Sequence, residues 1–534
     1  MKTLMTNCKI YDGSGNAPFV GEILIENEKI AAVGQNLDRT GAKILDIGGK
    51  SVSSGFFDAH SHNDWFAIKK TPQKYFEPFI RQGITSFIAG NCGLSETGFS
   101  NDSKFIDKIG AGLFFYDDVT GKYGTVKEFF DAIDCNTPLN IATLVGHCSA
   151  RTSVSGYENK QLSETENTKM LGLMEQGLKD GACGLSLGLM YEPGIYSSTE
   201  ELKAVAKLAS KYDKPLTVHP RACSAVSMAY ANPFGRAHLL RALDELVEVT
   251  SGLKVKLEYS HAIFVGKNSF KCVDELVSII ENMRKSGVDA MFDIYSEVCG
   301  VSVITVIMPA WYQILTPQQK KSFFNKLKFK IMAVISKKLL GFEFSDMVIA
   351  YLGEKGKQFE GKNVAEIAKE IGKSELETYI YLCDISDYKG RVNMYQYSTP
   401  EIISKLSKHK DVLYMTDAWV EDNGVQNTAI YDCFPKFLHL ALNGKGDTMP
   451  NTVRKMTGAV ADRFSIPERG YVKPNYFADL TVFDEGKLKD GKPDQMRAFG
   501  IEKVFVNGKL ILDGDNVDNK AFAKSGHAMR ATKA

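Results

Sequence analysis

Nowhere in this chain of 534 residues is there an apolar run long enough to cross a bilayer, which takes about 20 consecutive residues. The opening Met-Lys-Thr-Leu-Met-Thr-Asn-Cys-Lys-Ile also lacks the continuous apolar core and small-residue cleavage site of a secretory signal. A cytoplasmic protein with no membrane partner is therefore expected. An excess of one charge is missing as well: 65 basic residues face 64 acidic ones, which removes the electrostatic case for a nucleic-acid partner. The ten cysteines are scattered singly, without the close spacing of a disulfide framework, and fit reduced thiols. Histidine is scarce, at nine residues, so any place where several gather carries weight.

Hydrophobic residues at 44% and charged residues at 24% exclude a largely disordered or collagen-like chain. The length exceeds what one core usually supports, so a large catalytic domain with at least one smaller unit is expected. Short strand patterns at 8–11, 21–26 and 30–33 are matched near the other end by 478–483 and 504–512, the latter folded at Asn507-Gly508, a strong hairpin signal. The two ends, 1–54 and 470–534, are expected to build one small β-sandwich, with the tail beyond Asp513 frayed. Between them, strand-like runs at 85–89, 140–145, 185–187, 216–219, 254–259, 290–294 and 412–415 alternate with helical patterns. That rhythm predicts a TIM-type (β/α)8 barrel over 55–469. It is interrupted from about 309 to 399, read as a helical insertion, whose basic amphipathic stretch 320–338 reads as a solvated helix face.

Residues able to do chemistry follow the strand-like runs, where a barrel places its active site. In Gly55-Phe-Phe-Asp-Ala-His60-Ser-His62 the two histidines are separated by one residue, so both project to the same side and can reach one metal ion. His219 and His261 end two further runs, and four imidazoles suit one or two zinc ions. Asp417 ends a late one; a carboxylate there can touch a metal and take a proton from its water.

These stretches, together with Gly90-Asn-Cys92-Gly-Leu-Ser95, Leu144-Val-Gly-His147, Gly184-Leu-Ser-Leu-Gly-Leu-Met-Tyr191-Glu-Pro-Gly194, His219-Pro-Arg221, Phe434-Pro-Lys436 and Tyr471 to Asp479, resemble the D-aminoacylase (N-acyl-D-amino-acid deacylase) family of the amidohydrolase superfamily over nearly the whole chain. The resemblance implies a zinc-dependent amide hydrolase. It implies that Cys92, His219 and His261 hold a tight zinc, that His60, His62 and Asp417 surround a second, weaker position, and that Asp417 is the proton shuttle. It also implies substrate contacts for Tyr191 and Tyr295, with Arg221 beside them. One departure stands out: where the family carries a lysine that pairs with the substrate carboxylate, this chain has Ile263, and Lys267, six residues past His261, could swing into the vacated position from the following loop. Hydrolysis of a linear amide is the first reading. Cleavage of a cyclic amide or related C–N bond is the second, and a catalytically silent binding protein the third; homo-oligomerisation is left open.

Overall fold

The strands that carry the site are covered on both faces, and their sequences are correspondingly near-continuous apolar runs. They are β1 (Phe56–Asp58), β2 (Ile84–Ala89), β3 (Asn140–Gly146), β4 (Gly184–Gly188), β5 (Pro215–His219), β6 (Lys256–Tyr259), β7 (Asp289–Ile294) and β8 (Val412–Tyr414). All neighbours in this set pair in parallel in the order β8-β7-β6-β5-β4-β3-β2-β1. The two ends of that series meet: Ala59 N donates to Tyr414 O at 3.3 Å, Asp417 N donates to His60 O at 3.2 Å, and the Asp58 carboxylate accepts Thr416 N at 2.9 Å. A barrel results. The computed structural model describes residues 2–110, 123–227, 229–230, 232, 235–308, 310–313 and 315–531.

Helices cover the outside because their apolar residues recur at helical spacing, as in Thr199–Lys211, which buries Leu202, Val205, Ala206 and Ala209 and is started by the Ser198 hydroxyl accepting Glu201 N. Capping boxes at Thr125/Glu128 and Ser163/Glu166 fix the starts of Val126–Ile133 and Glu164–Lys179.

Both ends of the chain contribute to one nine-stranded sheet, joined where Leu480–Phe483 runs antiparallel to Ser51–Ser54. It is a single continuous sheet, with a small core of its own that includes Met5, Ile23, Val52, Leu480 and Phe505. Asn507 and Gly508, at φ 47° and 75°, make the tight turn between Ile501–Val506 and Lys509–Asp513.

Two expectations need correction. The tail is ordered through residue 531: Phe522 and Met529 are buried, Ile141 N donates to His527 O, and Met529 N donates to Ile141 O. Two apolar anchors and edge pairing with β3 fix a segment whose Lys, Ala and Asn content suggests fraying. The interruption in the barrel is also more than helical. Beside Phe323–Leu340, Val364–Ile371 and Glu375–Ile385 it contains an antiparallel sheet of Cys299–Val303, Arg391–Tyr395 and Met347–Tyr351. These strands are five residues each and pair with partners tens of residues away, so no hairpin signal marks them. Pro309, where the interruption was expected to open, lies outside the described residues.

Candidate metal centre

Six side chains from five strand ends converge at the mouth of the barrel. His60 and His62 follow β1, Cys92 follows β2, His219 closes β5, His261 follows β6 and Asp417 follows β8. Three of them, Cys92, His261 and Asp417, sit at φ 54°, 38° and 47°, a left-handed backbone that costs a non-glycine residue roughly 1–3 kcal/mol and persists only where its surroundings impose it. Those surroundings can be named. The Asp293 carboxylate accepts His261 N, and Asp293 O accepts Ala262 N at 2.9 Å. Around Cys92, Ser186 donates to Gly90 O and accepts Gly93 N at 3.0 Å. Gly188 passes so close that a Cβ there would stand 1.9 Å from Cys92 O, and one on Gly90 would meet Leu144 O at 2.4 Å. The Gly-Asn-Cys-Gly and Gly-Leu-Ser-Leu-Gly stretches are thus two halves of one contact.

Cys92 Sγ lies 3.3 Å from His60 Nε2, 3.6 Å from His219 Nδ1 and 3.7 Å from His261 Nε2. Asp417 Oδ1 lies 3.5 Å from His60 Nε2 and 3.6 Å from His62 Nε2. Donor atoms on a tetrahedral zinc, at bond lengths of about 2.0–2.3 Å, stand roughly 3.3–3.7 Å from one another. The residues therefore fit such an ion in number, type and spacing. Two overlapping groups arise, His60/Cys92/His261 and His60/His62/Asp417, with His60 in both. His219 borders the first through its Nδ1, 3.6 Å from Cys92 Sγ, so the structure groups His60 with Cys92 and His261 where His219 was expected.

Burial holds the imidazoles in their neutral, lone-pair-bearing form: it takes His60 down to about 4 and shifts His219 well below and His261 below their ordinary value. Burial raises Cys92 far above a usual thiol, and the Asp417 and Asp293 charges add to this, so a thiolate there needs the charge of a cation. Burial pushes Asp417 up too, but His60, His62 and His261 outweigh it and hold the carboxyl well below the usual range.

Asp58 and Asp293, both fully buried, were missed from sequence, where a single acid in an apolar strand reads as a satisfied core group. Asp293 Oδ2 lies 3.3 Å from His60 Nδ1 and directs the opposite nitrogen, Nε2, at Cys92 and Asp417. Asp58 accepts His60 N at 3.2 Å as well as Thr416 N, tying the first ligand strand to the last. Burial raises both carboxyls to about 7. The one available signal was position, since each acid stands at a strand end as the histidines do.

Of the expected substrate contacts, Tyr191 reaches the cluster, its hydroxyl 3.3 Å from His219 Nδ1 and its ring packed on that imidazole at 4.6 Å. Tyr295 is buried one residue past β7, with Ile263, Ile294, Ile403 and Leu406 around the same small cavity. Ile263 thus lines a mostly apolar cavity, whose polar members are Tyr295, Ser398 and Glu297, the last paired with Lys436 at 2.8 Å. The Arg221 guanidinium is occupied: it grips Glu245 through Nε at 3.0 Å and Nη2 at 2.9 Å, and donates to Ile195 O at 2.6 Å, which braces the loop behind Tyr191. Lys267 is exposed at the start of the turn Lys267–Cys272, and the structure does not bring it to the cluster.

No family model matches the sequence. Individual relatives match it nearly end to end. A D-aminoacylase from Alcaligenes xylosoxydans xylosoxydans is 24% identical over 518 residues, covering 95% of this chain and 94% of the relative. An N-acyl-D-glutamate deacylase from the same organism is 25% identical over 513 residues, covering 94% and 92%. Among solved structures, a D-aminoacylase described as defining a novel subset of amidohydrolases superposes with a TM-score of 0.77 at 23% identity, over 99% of both chains. An N-acyl-D-glutamate deacylase from Bordetella bronchiseptica, complexed with zinc and a phosphonate mimic of the tetrahedral intermediate, gives 0.77 at 21% identity, also over 99% of both. These full-length matches, together with the shared strand-end motifs, make the chain similar to the D-aminoacylases and N-acyl-D-glutamate and N-acyl-D-aspartate deacylases, whose fold it shares.

Proposed function

We propose that the protein is a zinc-dependent amidohydrolase that cleaves a linear amide of the N-acyl-D-amino-acid class. The observation that carries this reading is a buried thiol whose sulfur has three imidazole nitrogens within 3.7 Å, with a carboxylate held ionised beside them. The activities of the full-length relatives support it. Cys92, His219 and His261 would hold a tight ion, and His60, His62 and Asp417 a weaker second one. When bound, zinc supplies hydroxide near neutral pH, by lowering the pKa of water to about 7, and Lewis acidity toward a carbonyl. Asp417, held ionised by the imidazoles, accepts the proton of the attacking water and delivers it to the amide nitrogen, which leaves only when protonated. Tyr191, kept protonated because burial raises its hydroxyl well above the ordinary value, presents a donor to the carbonyl oxygen or acyl group. Tyr295 lines the leaving-group side.

Among the described residues, the lining of the cavity at Ile263 holds no cation where a lysine was expected, and a buried carboxylate needs a charged partner. Amides whose amine half is apolar or lacks an α-carboxylate are therefore the preferred substrates. The division into a barrel of 55–469 and a small domain from the two ends is proposed on the same basis, as is a cytoplasmic site of action, which ten unpaired thiols support.

A panel pairing each N-acyl-D-amino acid with its amide or decarboxylated counterpart tests the reading. Faster cleavage of the uncharged partner is expected. Faster cleavage of the carboxylates, abolished by Lys267→Ala, moves the anchor to Lys267; if it survives that substitution, the proposed pocket is wrong.

A further inference from the structure

The helix Phe323–Leu340 is apolar on two opposite faces. Inward it buries Phe329 and Ala333, with the Phe329 ring stacked on Tyr312 at 4.5 Å. Outward it shows Phe323 at 73% exposed, Phe324 at 78%, Leu327 at 45%, Ile331 at 54%, Val334 at 58% and Ile335 at 51%. At 3.6 residues per turn these six fall within one arc of roughly 120° along about 18 Å of helix. They are six of the fourteen large apolar side chains exposed among the described residues, so this is a continuous stripe and not ordinary surface scatter. The lysines Lys326, Lys328 and Lys338 of the basic stretch are exposed, and an exposed apolar strip lies with them on the helix.

Charge narrows what can cover the strip. Lys326, Lys328, Lys330, Lys337 and Lys338 lie on the helix, and no Asp or Glu occurs from 315 to 342. Lys330 is tied to Glu377 and Lys337 to Glu343, whereas Lys326 and Lys328 stand exposed on either side of the stripe and Lys338 beyond its C-terminal end, Lys328 lying over the Trp311 ring. A twofold contact with a second copy sets lysine flank against lysine flank. An anionic bilayer surface satisfies both features, taking the apolar side chains at the acyl boundary and the ammonium groups among the phosphates. No described helix is long and apolar enough to cross a membrane, which leaves a helix lying in the surface plane. The helix is anchored to the barrel: Lys267 N donates to Gly341 O at 3.1 Å, and the Asn268 amide donates to Lys338 O and Leu339 O at 3.0 and 2.8 Å.

We propose that Phe323–Leu340 is a docking element for anionic membrane surfaces. The proposal is independent of the substrate assignment, because the test is binding and not turnover. In co-sedimentation, the full chain associates with vesicles of phosphatidylcholine plus phosphatidylglycerol and not with phosphatidylcholine alone. Each lysine near such a surface is worth roughly fivefold in affinity, so Lys326→Glu with Lys338→Glu weakens binding at least tenfold, and added salt weakens it further. The triple variant Phe324→Ser, Ile331→Ser, Val334→Ser loses binding while thermal unfolding and metal content stay at wild-type values. Failure of the wild-type chain to bind anionic vesicles overturns the proposal, as does undiminished binding by the triple variant. A wild-type dimer that the triple variant converts to monomer, without vesicle binding, assigns the strip to a second copy instead.

Discussion

Two buried histidine clusters lie on this barrel and are built in opposite ways. At His147 the imidazole meets a carboxylate directly, Nε2 2.8 Å from Glu201 Oε1, and Arg151 Nε reaches the same oxygen at 2.9 Å. At His60 the neighbours of Nε2 are a thiol sulfur at 3.3 Å and a carboxylate oxygen at 3.5 Å, with further imidazole nitrogens around them. The first is a direct ion pair of Arg151 and Glu201 with His147 on the same carboxylate oxygen, an attraction that counters the cost of burying charge. The second gathers a thiol, imidazole nitrogens and a carboxylate around a common point at about the spacing of donors on one zinc ion, an arrangement suited to a cation among them. Both contain buried histidine and acid, so composition does not separate a structural cluster from a ligand set; the spacing of the atoms does.

The sharpest way to break this contrast is at the carboxylates. Asp417→Asn leaves Cys92, His219 and His261 in place and is expected to retain the tight metal while losing about a hundred- to ten-thousand-fold in turnover. Metal analysis beside a turnover assay on the same preparation checks it, and near wild-type turnover removes Asp417 from the proton path.

Glu201→Gln is expected to do the reverse. It leaves Arg151 buried without its partner and destabilises the fold by about 3–5 kcal/mol in denaturant unfolding, with metal content unchanged. Burial raises the Glu201 carboxyl, but His147 and Arg151 outweigh it and bring it down to about 2. A carboxyl depressed in the folded state contributes stability that is complete above its unfolded value, near 4.5, and is lost as pH falls toward 2. The wild-type protein therefore loses stability across that window, and the variant shows a flatter profile there.

Asp293→Asn has the smallest expected effect. The amide can still occupy the site but orients His60 less firmly, and chelator competition is expected to show metal affinity about 10- to 100-fold weaker, with the fold intact.

The barrel was legible because its strands are covered on both faces and read as apolar runs, and the candidate ligands were legible because each stands at or just past the end of one. His60, His62, His219, His261 and Asp417 came from that placement, and Cys92 from the motif that surrounds it. What the sequence hid was contact between distant segments. Asp58 and Asp293 act on residues far along the chain, and Arg221 has its fork taken by Glu245, 24 residues away. The strands of the interruption pair across similar gaps, and the ordered tail depends on an edge of β3. The stripe on Phe323–Leu340 was visible as apolar spacing, but only packing shows which of two apolar faces is turned inward.

The central claim, that Cys92 is a metal ligand and not a packed thiol, is tested most directly by zinc content. Purified wild-type protein is predicted to carry at least one tightly held zinc per chain, and Cys92→Ala to lose it while keeping its secondary structure. Undiminished zinc in Cys92→Ala would contradict the account.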